Sequence, residues 1–149
     1  MSGLFVDKTI EIDAPAPKVW HVLTGRKQTT QWAKEFARGG PEFHPESDWN
    51  LGSPVLWTRE DGEVVVDGNV MAREPNRLLR FTVFDTSSPR HPVSQDDGIT
   101  YELAERDGKT YLHLRHGDFA ALENGETYRD QSEQIWDRVL PLVKEMAET

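Results

Sequence analysis

The sequence contains no cysteine. Without thiols, its 149 residues cannot form disulfides, thiolate metal sites, iron–sulfur clusters or a cysteine nucleophile. It also lacks an apolar run of about 20 residues, the length that a membrane-spanning helix needs. The N-terminus, MSGLFVDKTIEID, has no basic start followed by a long apolar stretch, so no secretory signal is expected. We therefore predict a cytoplasmic protein with one domain, residues 1–149.

Basic residues are also scarce. Lys and Arg total 17 against 26 for Asp and Glu, which gives a formal net charge of −9. Phosphate backbones and anionic lipid repel such a chain, so nucleic acid is not expected as a partner and membrane insertion is not expected. The charge is compatible with a monomer or a homodimer.

Several catalytic motifs are missing as well. There is no G-x-S-x-G nucleophile elbow, and Gly39-Gly40 lacks the following helix signature of a phosphate-binding loop. His113 and His116 lie three residues apart in a predicted strand, so they face opposite sides of the sheet. We therefore predict neither a metal site nor a cofactor.

The N-terminal third has signals for one strand and two short helices. KTIEI, residues 8–12, alternates like a half-buried strand. In DAPAPKVWHVLT, Pro15 and Pro17 suit the first turn of a helix, where no backbone N–H needs a partner. TTQWAKEFA is predicted to form a second helix capped by Thr29 or Thr30.

The middle of the chain alternates between strand and turn signals. Roughly five or six antiparallel strands are predicted, with two-residue hairpin turns at Asp61-Gly62 and Asp107-Gly108. Pro75 suits the second position of a type I turn, and TSSPRHPVSQDDG is predicted to be a flexible loop. Because strands and helices are segregated, the fold class is α+β, with a curved antiparallel sheet packed on a long C-terminal helix.

The C-terminal helix, SEQIWDRVLPLVKEMAE, carries a proline in its middle. At about 100° per residue, its apolar side chains fall in one arc and Pro141 lies opposite them. A proline inside a helix costs about 3 kcal/mol, but on the solvent side it bends the helix around its core. We therefore predict an unbroken helix. Ser132 and Tyr128 project near the apolar arc, which indicates either satisfied core groups or a partly polar cavity.

Segments along nearly the whole chain resemble the START-related, Bet v 1-like (SRPBCC) superfamily. They are IEIDAPAPKVWHVLT, Gln31-Trp32, DGNVMAREPNRLLRFTV, and a terminal helix with Trp136, Leu140 and Val143. The chain is most similar to single-domain homologues of the activators of the heat-shock protein ninety ATPase. GNVMAREPNRLLRF is similar to a recurring G-x-V-x-x-x-x-P-x-x-x-L stretch, whereas Ile135 stands where the family often has glycine.

The resemblance implies a helix-grip fold with an apolar cavity between the sheet and the long helix. Such cavities take lipids, polyketides or aromatic molecules, and some relatives are cyclases, hydrolases or dehydratases whereas others only bind. Large aromatic and apolar side chains suit the lining of such a cavity. The expected lining is Trp32, Phe36, Trp57, Met71, Phe81, Tyr101, Leu114, Trp136 and Leu140, with His116 and Tyr128 as polar anchors.

His116 is the only candidate for a catalytic residue. It shares strand parity with Leu112 and Leu114, and Tyr101 shares parity with the apolar residues of the preceding strand. A buried histidine near a tyrosine can polarise a carbonyl or move a proton. The alternative is a core histidine that bonds to the backbone or to Asp118.

Three functions remain open at this point. The first is the binding of a hydrophobic or aromatic small molecule, such as a lipid or a polyketide-like compound, without catalysis. The second is an enzyme of the polyketide cyclase or dehydratase type, which uses the same cavity with His116 as acid–base. The third is a co-chaperone-like regulator of a heat-shock ATPase.

Overall fold

The computed structural model describes residues 4–37, 43–59, 61–85, 98–117, 119–121 and 124–149. No helix among them combines the length and the hydrophobicity that a membrane crossing requires. The elements, in chain order, are β1 (Val6–Ile12), α1 (Ala16–Thr24), α2 (Arg26–Ala33), a 3-10 turn (Lys34–Ala37), β2 (Phe43–Glu46), β3 (Pro54–Arg59), β4 (Val64–Glu74), β5 (Leu78–Phe81), β6 (Phe84–Asp85), β7 (Gly98–Arg106), β8 (Lys109–Gly117), a second 3-10 turn (Phe119–Ala121) and α3 (Gly125–Glu148).

The strands form one antiparallel sheet in the order β1-β8-β7-β5-β4-β3-β2, and the short β6 pairs with β4. The helix α3 packs across this sheet and buries one face. The predicted α+β helix-grip arrangement is therefore confirmed. The predicted number of strands was too low, because β2 and the two-residue β6 have too few residues to show a clear alternation.

The two predicted hairpins differ in their turns. Asp107 and Gly108 have φ values of 53° and 78°, so both adopt the left-handed conformation that a two-residue type I′ turn requires. At Asp61-Gly62 only the glycine has a positive φ, 91°, and its N–H donates to Arg59 O at 2.9 Å. The connection from β3 to β4 is therefore longer than the predicted two-residue turn.

The turn at Pro75 is also different from the prediction. Arg77 N–H donates to Glu74 O at 3.0 Å, and Asn76 between them has a φ of 66°. A positive φ at the third position defines a type II turn, which asparagine tolerates, so the predicted type I turn was wrong. Of the predicted loop TSSPRHPVSQDDG, all but the last residue, Gly98, lies outside the described residues.

The helix α2 begins at Arg26, before the predicted caps. Gly25 ends α1 by donating its N–H to His21 O at 2.7 Å, and it also precedes the first residue of α2. Because one glycine serves both helices, Thr29 and Thr30 lie inside α2. Their hydroxyl groups donate to Arg26 O at 3.1 Å and 2.7 Å, so the predicted threonine cap was wrong.

The long helix α3 is continuous from Gly125 to Glu148, with Pro141 on its exposed side, as predicted. Steric contact restricts the first residue of α3 to glycine, since a Cβ atom at Gly125 would lie 1.9 Å from Phe119 O. Only glycine fits there without moving the backbone. The close approach sets the angle at which α3 leaves the second 3-10 turn.

Side chains of α3 also reach the backbone of β1, the first strand of the sheet. Arg129 Nε donates to Phe5 O at 3.1 Å, and Lys144 Nζ donates to Glu11 O at 3.1 Å. Near the C-terminus, Glu148 accepts the N–H of Asp13 at 2.8 Å. The helix is therefore tied to the sheet along the whole length of β1.

Candidate functional site

Most of the predicted lining residues are buried between the sheet and α3. Strand parity puts Tyr101 on the inner face with Ile99 and Leu103, as predicted. This burial suits both a ligand site and an ordinary core, so the predicted role in ligand binding stays a prediction. The buried members of the predicted lining are Trp32, Trp57, Phe81, Tyr101, Leu114, Trp136 and Leu140.

Two predicted lining residues point away from the interior. Met71 is 44 % exposed because Val70 occupies the inward position of β4, and neighbouring residues of a strand alternate between its faces. Tyr128 is 50 % exposed because the core contact of α3 begins only at Trp136, two turns further along the helix. Both were therefore wrongly assigned to the inner surface. The side chain of Phe36 lies outside the described residues.

Five aromatic side chains form a continuous row through the interior. Trp136 is completely buried and is the second member of the row, with ring centroids 6.2 Å from Trp32 and 6.3 Å from Tyr101. Tyr101 continues to Phe81 at 5.8 Å, and Phe81 continues to Trp49 at 5.1 Å. Tilted and edge-on contacts of this kind are favourable between aromatic rings. We call these five residues the aromatic row.

Trp49 is the member of the row that the sequence did not predict. It follows β2 in a loop and has a φ of 61°, a strained conformation for a bulky residue. Its N–H donates to Ser47 Oγ at 3.0 Å, and its ring packs edge-on against Phe81. No periodic pattern marks a loop tryptophan, so only the distant contact with Phe81 reveals its place.

An open concavity adjoins the outer end of the row at Trp49. It has a volume of about 250 Å³ and lies between the α1–α2 junction and the loop after β2. A salt bridge from Arg26 to Glu46, 3.1 Å long, crosses this region. The lining residues are Thr24, Arg26, Pro45, Glu46, Ser47 and Trp49.

His116 lies beside Trp136, on the same face of β8 as Leu112 and Leu114. Its ring centroid is 6.3 Å from that of Trp136 and 4.9 Å from that of Phe119. Trp136 Nε1 lies 3.2 Å from His116 Nδ1. An indole nitrogen only donates, so His116 Nδ1 accepts and the neutral ring carries its proton on Nε2.

Burial also changes the pKa values of His116 and Tyr101. His116 is half-buried, and desolvation lowers its pKa to about 4, so the imidazole is neutral at physiological pH. Desolvation also raises the pKa of Tyr101, which keeps its phenol protonated. The site therefore presents neutral hydrogen-bond donors rather than charges. With Nδ1 engaged by Trp136, His116 is poorly suited to act as a general base.

The other histidine of β8, His113, faces the opposite side of the sheet. Its Nε2 lies 2.7 Å from Asp7 Oδ1, and its Nδ1 lies 4.0 Å from Glu102 Oε1. Within the described ranges, no group of three His, Asp or Glu side chains has a geometry that could hold a metal ion. Asp118, the predicted alternative partner of His116, lies outside those ranges.

One known protein family matches almost the whole chain. Residues 13–148 match the model of the family described as Activator of Hsp90 ATPase homolog 1-like protein. Among curated protein sequences, no significant match was found.

Solved structures share the fold at low sequence identity. ChR145 from Cytophaga hutchinsonii has a TM-score of 0.71 and 22 % identity, with 99 % of this chain and 97 % of that chain covered. The Aha1 dimer from Colwellia psychrerythraea has a TM-score of 0.68 and 16 % identity, with 97 % of this chain and 96 % of that chain covered. CalU16 from Micromonospora echinospora has a TM-score of 0.68 and 18 % identity, with 96 % of this chain and 75 % of that chain covered. Together with the family match, these folds confirm the resemblance to the START-related, Bet v 1-like superfamily.

Proposed function

The chain belongs to the family of Activator of Hsp90 ATPase homolog 1-like proteins, and we propose that it binds an apolar, aromatic small molecule between the sheet and α3. The observation that carries the proposal is the aromatic row. Its rings run from the centre of the domain, at Trp136, to Trp49 beside an open concavity. A flat ligand would stack against these rings and exchange weak edge contacts for face contacts.

The polarity of the interior favours a largely apolar ligand. In the described part of the chain, the fully buried polar residues are Thr29, Thr82 and Thr110, and the polar groups of Tyr101 and His116 beside the aromatic row are neutral. Because a buried charge needs an opposite charge or several hydrogen bonds, an ionic ligand would be poorly compensated here. The acidic surface, with a net charge of −9, also disfavours anions that approach from solution.

The concavity beside Trp49 is the proposed route into the interior. Trp49 is the member of the row that lines it, so rotation of this one side chain would join the concavity to Phe81. The positive φ of Trp49 supports a functional reading, because strained backbone is often kept at binding sites. The salt bridge from Arg26 to Glu46 is exposed, so it opposes such a movement only weakly.

Nuclear magnetic resonance of the five indole N–H groups tests the proposal. Titration with naphthalene derivatives, flavonoids and fatty acids is expected to give saturable shifts of the Trp136 and Trp49 signals with at least one aromatic probe. Trp20, half-buried on α1 and outside the row, serves as the internal control. If none of the probes shifts Trp136 or Trp49 saturably, the proposed ligand site does not exist.

A second candidate function is the regulation of a heat-shock ATPase. The family match over residues 13–148 favours it, and the fold is shared with the Aha1 dimer from Colwellia psychrerythraea. We expect a regulator to stimulate a bacterial Hsp90 ATPase saturably when added in increasing amounts, and light scattering would show whether it acts as a dimer. An unchanged ATPase rate would contradict this function.

The cyclase or dehydratase alternative has weaker support. It needs His116 as a proton acceptor or donor in the reaction, but the neutral ring already accepts the indole N–H of Trp136. Its lowered pKa, about 4, also makes the imidazole a weak base at neutral pH. A binding function does not require His116 to transfer a proton.

A further inference from the structure

Leu51 is the most exposed of the large apolar side chains in the described part of the chain, at 70 %. It occupies the second position of a turn in which Ser53 N–H donates to Asn50 O at 3.0 Å and Gly52 has a φ of 84°. The positive φ at the third position defines a type II turn. Because Leu51 is exposed at the tip of this turn, it forms an apolar protrusion, which we call the knob.

Hydrogen bonds on both sides of the turn hold the knob in place. Before it, Asp48 Oδ1 accepts the N–H of Asn50 at 3.0 Å. After it, Gly52 N–H donates to Val70 O at 2.9 Å, and Asn69 Nδ2 donates to Gly52 O at 3.2 Å. A single exposed leucine is common on protein surfaces. Here a fixed backbone presents it, so its burial by a partner would cost little backbone entropy.

The concavity beside Trp49 lies next to the knob on the same surface. It has a volume of about 250 Å³, and Pro45 and Trp49 are its apolar members. At roughly 30 Å³ per water molecule, this volume holds about eight waters, so the four carbon atoms of a leucine side chain fit within it. Leu51 is not among the residues that line it, so the knob does not fill the concavity of its own chain.

The charges around the knob and the concavity are complementary. Arg26 lines the concavity with a side chain that is 75 % exposed, and Lys27 follows it, whereas the first turn of α2 contains no acidic residue. Asp48, which is exposed, lies three residues before the knob. Two copies of a chain with a net charge of −9 repel each other, so a contact between them is favoured where a basic patch meets an acidic loop.

We propose that two copies of this chain form a dimer in which Leu51 of each copy enters the concavity beside Trp49 of the other. A two-fold axis relates the two contacts, because knob and concavity lie on one patch and each copy uses both. In this arrangement Asp48 comes close to the partner's Arg26. Association stops at two copies, since the two-fold contact is closed and involves no strand edge.

The contact is small, so the dimer is expected to be weak. Stable interfaces bury about 1,200–2,000 Å² in total, and two leucines with their surroundings cover less. We therefore expect a dissociation constant on the order of 0.1–1 mM. The dimer has one consequence that rests on the proposed function. The partner's Leu51 closes the proposed route beside Trp49, so a ligand enters the dimer more slowly than the monomer.

Sedimentation equilibrium of the full chain, from about 0.02 to about 1 mM, tests the dimer. The wild type is expected to shift from monomer towards dimer over this range, and Leu51→Ser is expected to remain monomeric. Tyr128→Ser, which removes another exposed apolar side chain, is the matched control and should dimerise like the wild type. A wild type that stays monomeric at the highest concentration, or a Leu51→Ser variant that dimerises equally, overturns the proposal.

A matched pair of charge reversals tests the basic patch. Arg26→Glu is expected to weaken the dimer about fivefold more than Arg106→Glu, which makes the same change at an exposed position at the end of β7. The difference between the two variants should shrink at high salt, because exposed charges are screened. Equal weakening by both variants would show general repulsion and overturn the assignment of Arg26 to the interface.

Isotope-filtered NMR of a mixture of labelled and unlabelled copies locates the contact. We expect nuclear Overhauser effects from the Leu51 methyl groups of one copy to the Trp49 ring of the other, and a dimer without them overturns the proposal. The titration of the indole signals keeps the proposed function separate. A dimer that forms although no aromatic probe binds supports this interface and overturns only the ligand site. Equal rates of probe entry into the wild-type dimer and Leu51→Ser overturn the closure of the route.

Discussion

Two histidines of one strand illustrate how the sheet divides the chemistry of this protein. His113 and His116 lie three residues apart on β8 and face opposite sides. On the outer face, His113 Nε2 lies 2.7 Å from Asp7, with Glu102 also within ion-pair distance. On the inner face, His116 accepts the indole N–H of Trp136, and burial lowers its pKa to about 4.

The difference shows that the face of the strand, and not the residue type, decides what a histidine does here. The outer histidine is partly exposed and has the carboxylates of Asp7 and Glu102 beside it. The inner one has aromatic rings beside it, where desolvation favours the neutral form. A site with neutral donors follows from the second environment.

The largest effect is expected at the centre of the inner face. Trp136→Ala removes the ring that contacts Trp32, Tyr101 and His116, and we expect a loss of about 3–5 kcal/mol of unfolding free energy. Urea unfolding measures the loss. Tyr128→Ala, on the exposed side of the same helix, is the control and should change stability by less than about 0.5 kcal/mol. Similar losses in the two variants would contradict the assignment of an inner face.

An intermediate effect is expected from the ionisation of His116. Its pKa is about 4 when folded against 6.5 in the unfolded chain, so between these values the unfolded state binds the proton and the folded state does not. The stability that depends on neutral His116 is therefore fully present above pH 6.5, decreases as the pH falls, and is lost below pH 4. We expect a loss of about 2 kcal/mol, because partial exposure reduces the effect of the pKa difference.

Urea unfolding of the wild type and His116→Gln over this pH range checks the prediction. Asp48 and Glu148, whose pKa values are lowered by hydrogen bonds from Ser53 and Lys144, add acid sensitivity to both proteins. The difference between the two curves therefore isolates His116. Curves that run parallel from neutral pH to pH 4 would show that the buried imidazole does not control acid stability.

The smallest effect is expected on the outer face. His113→Gln removes a hydrogen bond to Asp7 between two partly exposed side chains, and we expect a loss of less than about 1 kcal/mol at neutral pH. The binding of naphthalene probes should not change, since the ring lies on the opposite side of the sheet. A loss of ligand binding in this variant would mean that the two faces are coupled.

Local sequence patterns were sufficient for the features that depend on neighbours in the chain. The exposed side of α3 at Pro141 follows from helical spacing, and the type I′ turn follows from Asp107-Gly108. Strand alternation also placed Tyr101 and His116 on the inner face. These features needed no information on how distant segments pack.

The errors concern features that depend on distant contacts. Met71 is the exception, because plain alternation along β4, with Gly68 and Val70 buried, already puts it on the outer face. Tyr128 is exposed because α3 reaches the core only at Trp136. Trp49 belongs to the aromatic row only through its contact with Phe81, which is distant in sequence. Gly25 caps α2 because α1 ends at the same residue. A periodic pattern contains none of this information.

The contacts between α3 and β1 also bear on how the chain avoids aggregation. β1 is the last strand of the sheet on its side, and an open strand of this kind can pair with a strand of another molecule. Arg129 and Lys144 bond to the carbonyl groups of Phe5 and Glu11, which such a strand would otherwise use. Release of α3 would therefore expose an apolar surface and a free strand edge together, so the docked helix protects the molecule against self-association as well as covering its core.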